Sequence, residues 1–436
     1  MPSIAGVINA VRPWPAYLLA AAMPISIAAV NVSKALLILA ALAAILLDSR
    51  VRSTARQMLA ESAAVRCLLL ALVALALSVA YTSVPLADGW RGWAKYAKLL
   101  LIPLLLLTLR SRAEAMTALR VLLLAHVFVL ITTLLLAAGF AVPWVEARRL
   151  PINRPGDIAP FVPYSGYLDQ SMMTAAFVGM AWFLGGVQAD RRLRWGLWAA
   201  AALGAASLLT LIPGRSGQLA LIIVCLLAMF WSPALRRRPQ FAVLPVLALV
   251  AAFWASSGFT ARMTLMATEA QAYQTQTVRD TSTGVRLTLW ESAVQLIAER
   301  PALGHGAGST THELQRIMSA RNVAVATATR PNAHQEYLQW GVQLGVPGLL
   351  LFVTLLLALA RDFQRAEPLP RQMGLAVLAV FALVCLFNSA LTDAFIGEYF
   401  CAALGLLLAL AAAGRRETVA PAPMQGTTTS ARSAPA

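Results

Sequence analysis

With 436 residues, 59% of them hydrophobic, only 12% charged and a mean hydropathy of +0.70, this chain cannot be a water-soluble enzyme. Its net charge of +16 is carried almost wholly by arginine, since Lys34, Lys95 and Lys98 are the only lysines. The arginines are scattered between apolar runs rather than gathered on one domain, which argues against nucleic acid as a partner.

Apolar runs of roughly 15–22 residues, separated by short arginine-bearing loops, describe an all-α polytopic membrane protein with about twelve transmembrane helices. A membrane barrel would require alternation with period two, and these runs are uniformly apolar. The first two spans fall over 15–30 and 34–47, joined by a tight turn at Asn31. The first is read as a retained helix rather than a cleaved signal. A loop bearing Arg50, Arg52, Arg56 and Arg66 follows, cytoplasmic by the positive-inside rule, and it sets the phase of everything downstream. The third span covers 67–84. The fourth begins near Arg91 and Lys95 and ends at Arg110 and Arg112. The fifth to ninth cover 116–138, 171–188, 195–212, 218–231 and 241–257.

Residues 1–257 therefore form helices one to nine. A large periplasmic loop over 258–331 comes next, then helices ten to twelve over 332–413, and a disordered cytoplasmic tail over 414–436. Both termini come out cytoplasmic. Within the long loop, Leu287, Trp290, Val294 and Ile297 recur at helical spacing, predicting an amphipathic helix over 285–300 that Pro301 stops. Thr310-Thr311-His312-Glu313 reads as a capping box that opens a second short helix through Ser319. The tenth span is entered through Pro331-Asn332-Ala333-His334. Asn332 is the expected N-cap and puts His334 on the first helical turn, where the positive end of the helix dipole favours a neutral imidazole.

Several reaction classes drop out. No P-loop, D-x-D pair, His-Glu-x-x-His, Cys-x-x-Cys or Gly-x-Ser-x-Gly is present, so neither nucleotide nor a built-in metal or cofactor is expected. Cys67, Cys225, Cys385 and Cys401 all sit in apolar runs and read as packing residues. His126, in mid-span, reads as a buried interhelical hydrogen-bonding group, and His305 and His312 as loop residues. An arginine at a helix end is commonly a topological anchor. Arg215 departs from that pattern, because Pro213-Gly214-Arg215-Ser216-Gly217 sets it between glycines at the outer end of a span. Arg286, at the start of the amphipathic helix, and His334 share that side. The candidate catalytic residues are thus His334, Arg215 and Arg286; the candidate substrate-binding residues are Arg91, Lys95, Asp393, Gly306 and Gly308.

The motif Pro213–Gly217, together with Arg286-Leu287-Thr288-Leu289-Trp290, Pro301-Ala302-Leu303-Gly304-His305-Gly306-Ala307-Gly308-Ser309 and His334-Gln335-Glu336-Tyr337-Leu338-Gln339, resembles the O-antigen ligase and polymerase superfamily. Leu344-Gly345-Val346-Pro347-Gly348-Leu349 extends the resemblance, which covers about residues 203–357. Gln335 departs from the asparagine usual after the histidine. The resemblance implies a metal-independent, inverting glycosyltransferase of GT-C architecture. Its donor would be a glycan on undecaprenyl pyrophosphate, and its acceptor the lipid A–core at the periplasmic face of the bacterial inner membrane. Arg215, Arg286 and His334 match the superfamily's essential positions, and Asp393 a further acidic one. An O-antigen polymerase or a protein O-oligosaccharyltransferase would share these features. From another class, a lipid-linked glycan transporter or flippase would also suit about twelve helices, but it would favour paired halves and polar groups at mid-membrane.

Overall fold

The computed structural model describes residues 10–146, 161–212, 214–232, 282–320 and 331–419, together with Arg237. The regular elements among the described residues are all helical. The expected ninth span and the tail beyond 419 lie outside them.

Six of the described helices are long and apolar enough to cross a membrane. These are α2 (Ile27–Leu47), α4 (Ala63–Ser78, continued by a 3₁₀ turn to Tyr81), α7 (Arg112–Ala137), α13 (Glu336–Gln364), α14 (Pro368–Phe387) and α15 (Ala394–Val419). Of the expected spans, the ninth lies outside the described residues, and the first and fourth depart from expectation for physical reasons. The first run yields only nine helical residues in α1 (Trp14–Ala22), too few to span a bilayer. The chain then turns at 23–26, where the Ser26 side chain caps α2, so Asn31 lies inside a helix rather than at the expected turn. The fourth run is broken into α5 (Leu86–Tyr96) and α6 (Leu101–Thr108) by a 3₁₀ turn, because its first half is polar and glycine-bearing and only its second half is continuously apolar. The basic loop after α2 is itself a helix, α3 (Ser49–Glu61). The remaining bundle members are α8 (Tyr167–Gly186), α9 (Arg191–Thr210) and α10 (Arg215–Trp231).

α15 is the central post. Tyr399, Phe400, Leu404 and Leu407 are fully buried, and α6, α7 and α14 pack around it. His126 of α7 hydrogen-bonds Thr174 of α8 at 3.1 Å and stacks on Phe177, as a buried interhelical group should. At the end where α13 finishes, arginines are tied into ion pairs: Arg12 with Glu114 at 2.8 Å, and Arg110 with Asp48 at 3.1 Å. There Asp362, in the last turns of α13, accepts hydrogen bonds from Ser62 Oγ and from the backbone N–H groups of Ala63 and Ala64. It satisfies the orphan donors that open α4. The candidate residues lie at the other end of the bundle, where α13 begins.

Over that end sits a helical cap, α11 (Ser282–Glu299) and α12 (Thr310–Ala320), both close to expectation. Its small core joins Leu289, Ala293 and Leu296 of α11 to Leu314, Ile317 and Met318 of α12, and to Ala333 and Val342. The expected stripe is therefore rotated. Val294 faces out at 56% exposure, while the small Ala293 lets α11 settle inward. Close approach also needs Gly341 of α13, where a Cβ would lie 2.5 Å from Ile297.

The cap is joined to the bundle by a broken helix. Within α13, Gly345 adopts φ 71°, ψ −161°, and Pro347 follows. Pro347 has no N–H to give the carbonyl of Gln343, and the N–H of Val346 turns to Pro301 O at 2.8 Å. The two stranded carbonyls, Val342 and Gln343, accept instead from His305 N–H and Gly306 N–H, each at 2.9 Å. Irregular backbone at this depth is tolerated because protein, not lipid, satisfies it.

Candidate active site

Helix α13 starts at Glu336 with Gln335 as N-cap, so His334 precedes the helix instead of lying on its first turn. Asn332 acts locally: its Oδ1 accepts the backbone N–H of His334 at 2.8 Å, an Asx turn. His334 stands at φ 45°, the sole non-glycine residue with positive φ among those described. That left-handed conformation is uncommon for a side-chain-bearing residue, though histidine tolerates it better than most. Strain of this sort concentrates at functional sites.

Half-buried, His334 has its imidazole pKa pulled below the usual value, first by burial and then by the positive charge of Arg286. The neutral ring expected from the sequence is favoured, but the cause is desolvation and an arginine rather than a helix dipole. Arg286, on the first turns of α11, is also held below its usual value. Burial acts first, the like charge of Arg215 adds to it, and Tyr167 at the start of α8 opposes it. The three candidates, drawn from α10, α11 and the entry to α13, therefore share one electrostatic site.

Arg215 is the first residue of α10, with Gly214 as N-cap. The flanking glycines have a packing reason. A Cβ on Gly214 would lie 2.1 Å from Ser171 Oγ, and one on Gly217 2.6 Å from the Ser171 backbone. α10 can thus enter flush against α8, which carries Arg215 toward Tyr167.

A second cluster lies on the other side of Asn332. A cavity of about 330 Å³ is lined by Lys95, Gly308 and Asp393, three of the expected substrate-binding residues, and by Asn332 itself. Asp393 also caps α15, its Oδ1 accepting from Phe395 N–H at 2.9 Å, and Lys98 Nζ donates to its backbone oxygen. The other two expected residues are placed elsewhere. Arg91 is solvent-exposed, paired with Asp88 at 2.9 Å, and does not line the cavity. Gly306, at φ 87°, packs where a Cβ would lie 2.4 Å from Thr82 Cα, and its N–H serves the broken helix. His305 lies in its loop but is buried, bonded through Nε2 to Leu296 O at 3.0 Å.

Reading the residues in sequence missed Asp169. It lies on the first turn of α8, ahead of the apolar stretch, and its carboxyl is pushed upward by burial and then by the neighbouring charge of Asp393. It also missed Gln339, Gln343 and Tyr96. Gln343 links Tyr96 OH, at 2.7 Å, to the N–H of Gly308, at 3.1 Å. The available signal was the spacing of Gln335, Gln339 and Gln343, one glutamine per helical turn.

The family model for O-antigen ligases matches residues 200–353. The matched region is similar to the O-antigen ligase family. It contains Arg215, Arg286, His334, the 304–308 loop and the break in α13. An uncharacterized protein of Haemophilus influenzae is 28% identical over 86 residues, 20% of this chain and 22% of that protein, so the chain spans about a fifth of that relative's length. The cavity residues Lys95 and Asp393, like Asp169, fall outside the O-antigen ligase region yet are packed against it by α5, α8 and the turn before α15.

Proposed function

We propose that this chain is an O-antigen ligase of GT-C architecture. It would move a glycan from undecaprenyl pyrophosphate to a sugar hydroxyl of the lipid A–core at the periplasmic face of the inner membrane, with both termini cytoplasmic. The observation that carries this reading is the convergence of Arg215, Arg286 and His334 at the end of the bundle opposite the ion-paired arginines. By the positive-inside rule that arginine-rich end is the cytoplasmic one.

In the reaction, the acceptor oxygen attacks the anomeric carbon and the bond to the pyrophosphate oxygen breaks, the leaving group taking the electron pair. Arg215 and Arg286 stabilise the charge that develops there, a task guanidinium suits because it offers paired donors and stays ionised. His334, kept neutral, takes the acceptor hydroxyl's proton, a contribution of about 10²–10⁴-fold for a general base. A single displacement inverts the anomeric centre. The energy resides in the donor's phosphoester, so neither nucleotide nor metal is needed.

The test is to incubate the purified chain with lipid-linked glycan and lipid A–core in detergent. The expected product is glycan-capped lipid A–core. Elongation of the lipid-linked glycan alone would make the chain a polymerase, and capping only of an added protein would make it an oligosaccharyltransferase. No transfer to any of the three would sink the reading.

A further inference from the structure

We infer that the end of the bundle away from the candidate site binds one anionic phospholipid. Its phosphate sits among arginines of α4 and α13, and an acyl chain lies in the groove between those helices. A hollow of about 340 Å³ opens where α3 gives way to α4, beside the last turns of α13. Arg66, Arg361, Arg365 and Arg415 line it against two acids, Glu61 and Asp362, an excess of positive charge. Asp362 is occupied with Ser62 Oγ and the N–H groups of Ala63 and Ala64, and Glu61 accepts from Gln57 Nε2 at 2.8 Å.

The arginines are arranged to receive an anion. Arg66 Nη1 donates to Leu59 O at 2.8 Å and to Ala60 O, carbonyls of the last turn of α3. That fixes the guanidinium and leaves its Nε and Nη2 edges to donate elsewhere. Arg361 and Arg365 lie one helical turn apart on one face of α13. Arg12, Arg110 and Arg112 are ion-paired at this same end, whereas Arg361 and Arg365 have no hydrogen bond or ion pair among the described residues. A phosphate takes forked contacts from such groups, and it would fasten α4 to α13 where like charges otherwise face each other.

A second hollow, of about 420 Å³, decides between a free phosphate and a lipid. Arg66 and Arg361 line it too, but the rest of its wall is apolar except for Thr354, whose hydroxyl bonds Leu350 O at 2.7 Å. Cys67 and Leu70 continue the Arg66 face of α4, and Leu351, Thr354 and Ala358 continue the Arg361 face of α13. From Arg361 back to Leu351 the groove follows ten residues of helix, about 15 Å. Leu70 and Leu357 are 60% and 64% exposed along it, so an acyl chain has apolar surface to cover. A basic mouth that continues into an apolar groove fits a headgroup and its tail. Basic pockets between membrane helices are where anionic headgroups bind.

Native mass spectrometry of the full chain in detergent, titrated with phosphatidylglycerol, reads the site. One lipid should bind, at least about fivefold tighter than phosphatidylcholine. Arg361→Gln combined with Arg365→Gln should weaken binding about thirtyfold, at about fivefold per arginine. Arg191→Gln combined with Arg192→Gln removes the same charge from α9 at the same end, outside both hollows, and should change nothing. Thr354→Trp fills the groove from an exposed position and should also weaken binding, at an unchanged lipid-free Tm. The lipid should raise the Tm of the wild-type chain and not that of the Arg361/Arg365 double variant. Undiminished binding in that variant or in Thr354→Trp, or an equal loss in the α9 control, would overturn the site. Two arms use the wild-type chain alone, so they hold even if a variant misfolds. Equal affinity for phosphatidylcholine would remove the anionic headgroup from the proposal, and competition by glycerophosphoglycerol at the lipid's own concentration would remove the tail.

Discussion

The side-chain oxygen of Asn332 accepts the backbone N–H of His334 at 2.8 Å, and this contact holds a histidine at φ 45° immediately before α13. A left-handed conformation at a residue with a Cβ costs about 1–3 kcal/mol, so something must over-determine it. Asn332→Ala removes the acceptor and lets His334 relax toward ordinary φ. Displacing a catalytic group by roughly 1 Å can cost about 10²-fold, so kcat should fall by one to two orders of magnitude. Asn332→Asp keeps an acceptor and should retain most of the rate. Equal losses in both variants would show that the turn is not what matters.

The His334–Arg286 pair makes a pH prediction. Burial and then Arg286 lower the folded-state pKa of His334 below its unfolded value of about 6.5. The fold therefore favours the neutral ring. That stabilisation is complete above about pH 6.5 and is lost as pH falls through the lower folded value. Activity should keep its plateau at pH 6.5 and decline only on the acid side of it. In Arg286→Gln one of the two causes is gone, so the midpoint should move upward while remaining below the free value. Diethylpyrocarbonate modification of the peptide containing His334, followed against pH by mass spectrometry, reads this midpoint even in an inactive protein. A midpoint that stays put or moves down would dissociate the two residues.

Arg215 owes its place to backbone proximity between α10 and α8, and the two flanking glycines should behave differently. A Cβ on Gly214 meets chiefly the Ser171 side chain, whereas one on Gly217 also meets the Ser171 backbone at 2.6 Å. Both Gly214→Ala and Gly217→Ala should cost activity by shifting Arg215. Adding Ser171→Gly should restore activity to Gly214→Ala and leave Gly217→Ala impaired. Rescue of both, or of neither, would contradict this packing.

The arginines are expected to act as forks rather than as point charges. Arg286→Lys should lose at least about tenfold in rate despite keeping its charge, because a lysine cannot make the paired contact. Arg215→Ala and Arg286→Ala should abolish transfer with membrane insertion intact. Chelation with EDTA should leave the wild-type rate unchanged. Inhibition reversed by magnesium would reassign the charge stabilisation to a metal.

Much of this was legible in the residues, and the failures have reasons. Amphipathic spacing located α11, the Thr310-Thr311-His312-Glu313 pattern located α12, and glycine flanks singled out Arg215. The rotation of α11 was hidden because the decisive residue, Ala293, is small and scores as neither core nor surface. His334 was assigned to the first helical turn because Asn332 is a good cap. Nothing local distinguishes an N-cap from an Asx turn two residues earlier. Gly306 was grouped with Gly308 as a candidate ligand contact, yet it packs against Thr82, and a glycine needed for close packing and one needed for a ligand read alike. Asp169 and Tyr96 act through partners, Asp393 and Gln343, more than 200 residues away in sequence, which no periodicity reports.

The break in α13 gives the last prediction. Gly345 at φ 71°, ψ −161° occupies a region essentially reserved for glycine, and a Cβ there would lie 2.3 Å from Pro301 O. Gly345→Ala should therefore destabilise strongly, by the 1–3 kcal/mol of backbone strain together with the collision. Pro347→Ala attacks the same junction from the other side. It supplies the missing N–H, which competes with Gly306 for the carbonyl of Gln343 and favours a straight helix. Its Tm should change little, because one hydrogen bond replaces another. The 301–306 loop would lose its anchor, and Gln343 would turn away from Tyr96 and Gly308. The expected result is faster proteolysis between α11 and α12 together with reduced transfer. Unaltered proteolysis in Pro347→Ala would mean that the loop is held by its other contacts, to Ser78, Thr82 and Tyr81, rather than by the carbonyls the proline leaves open.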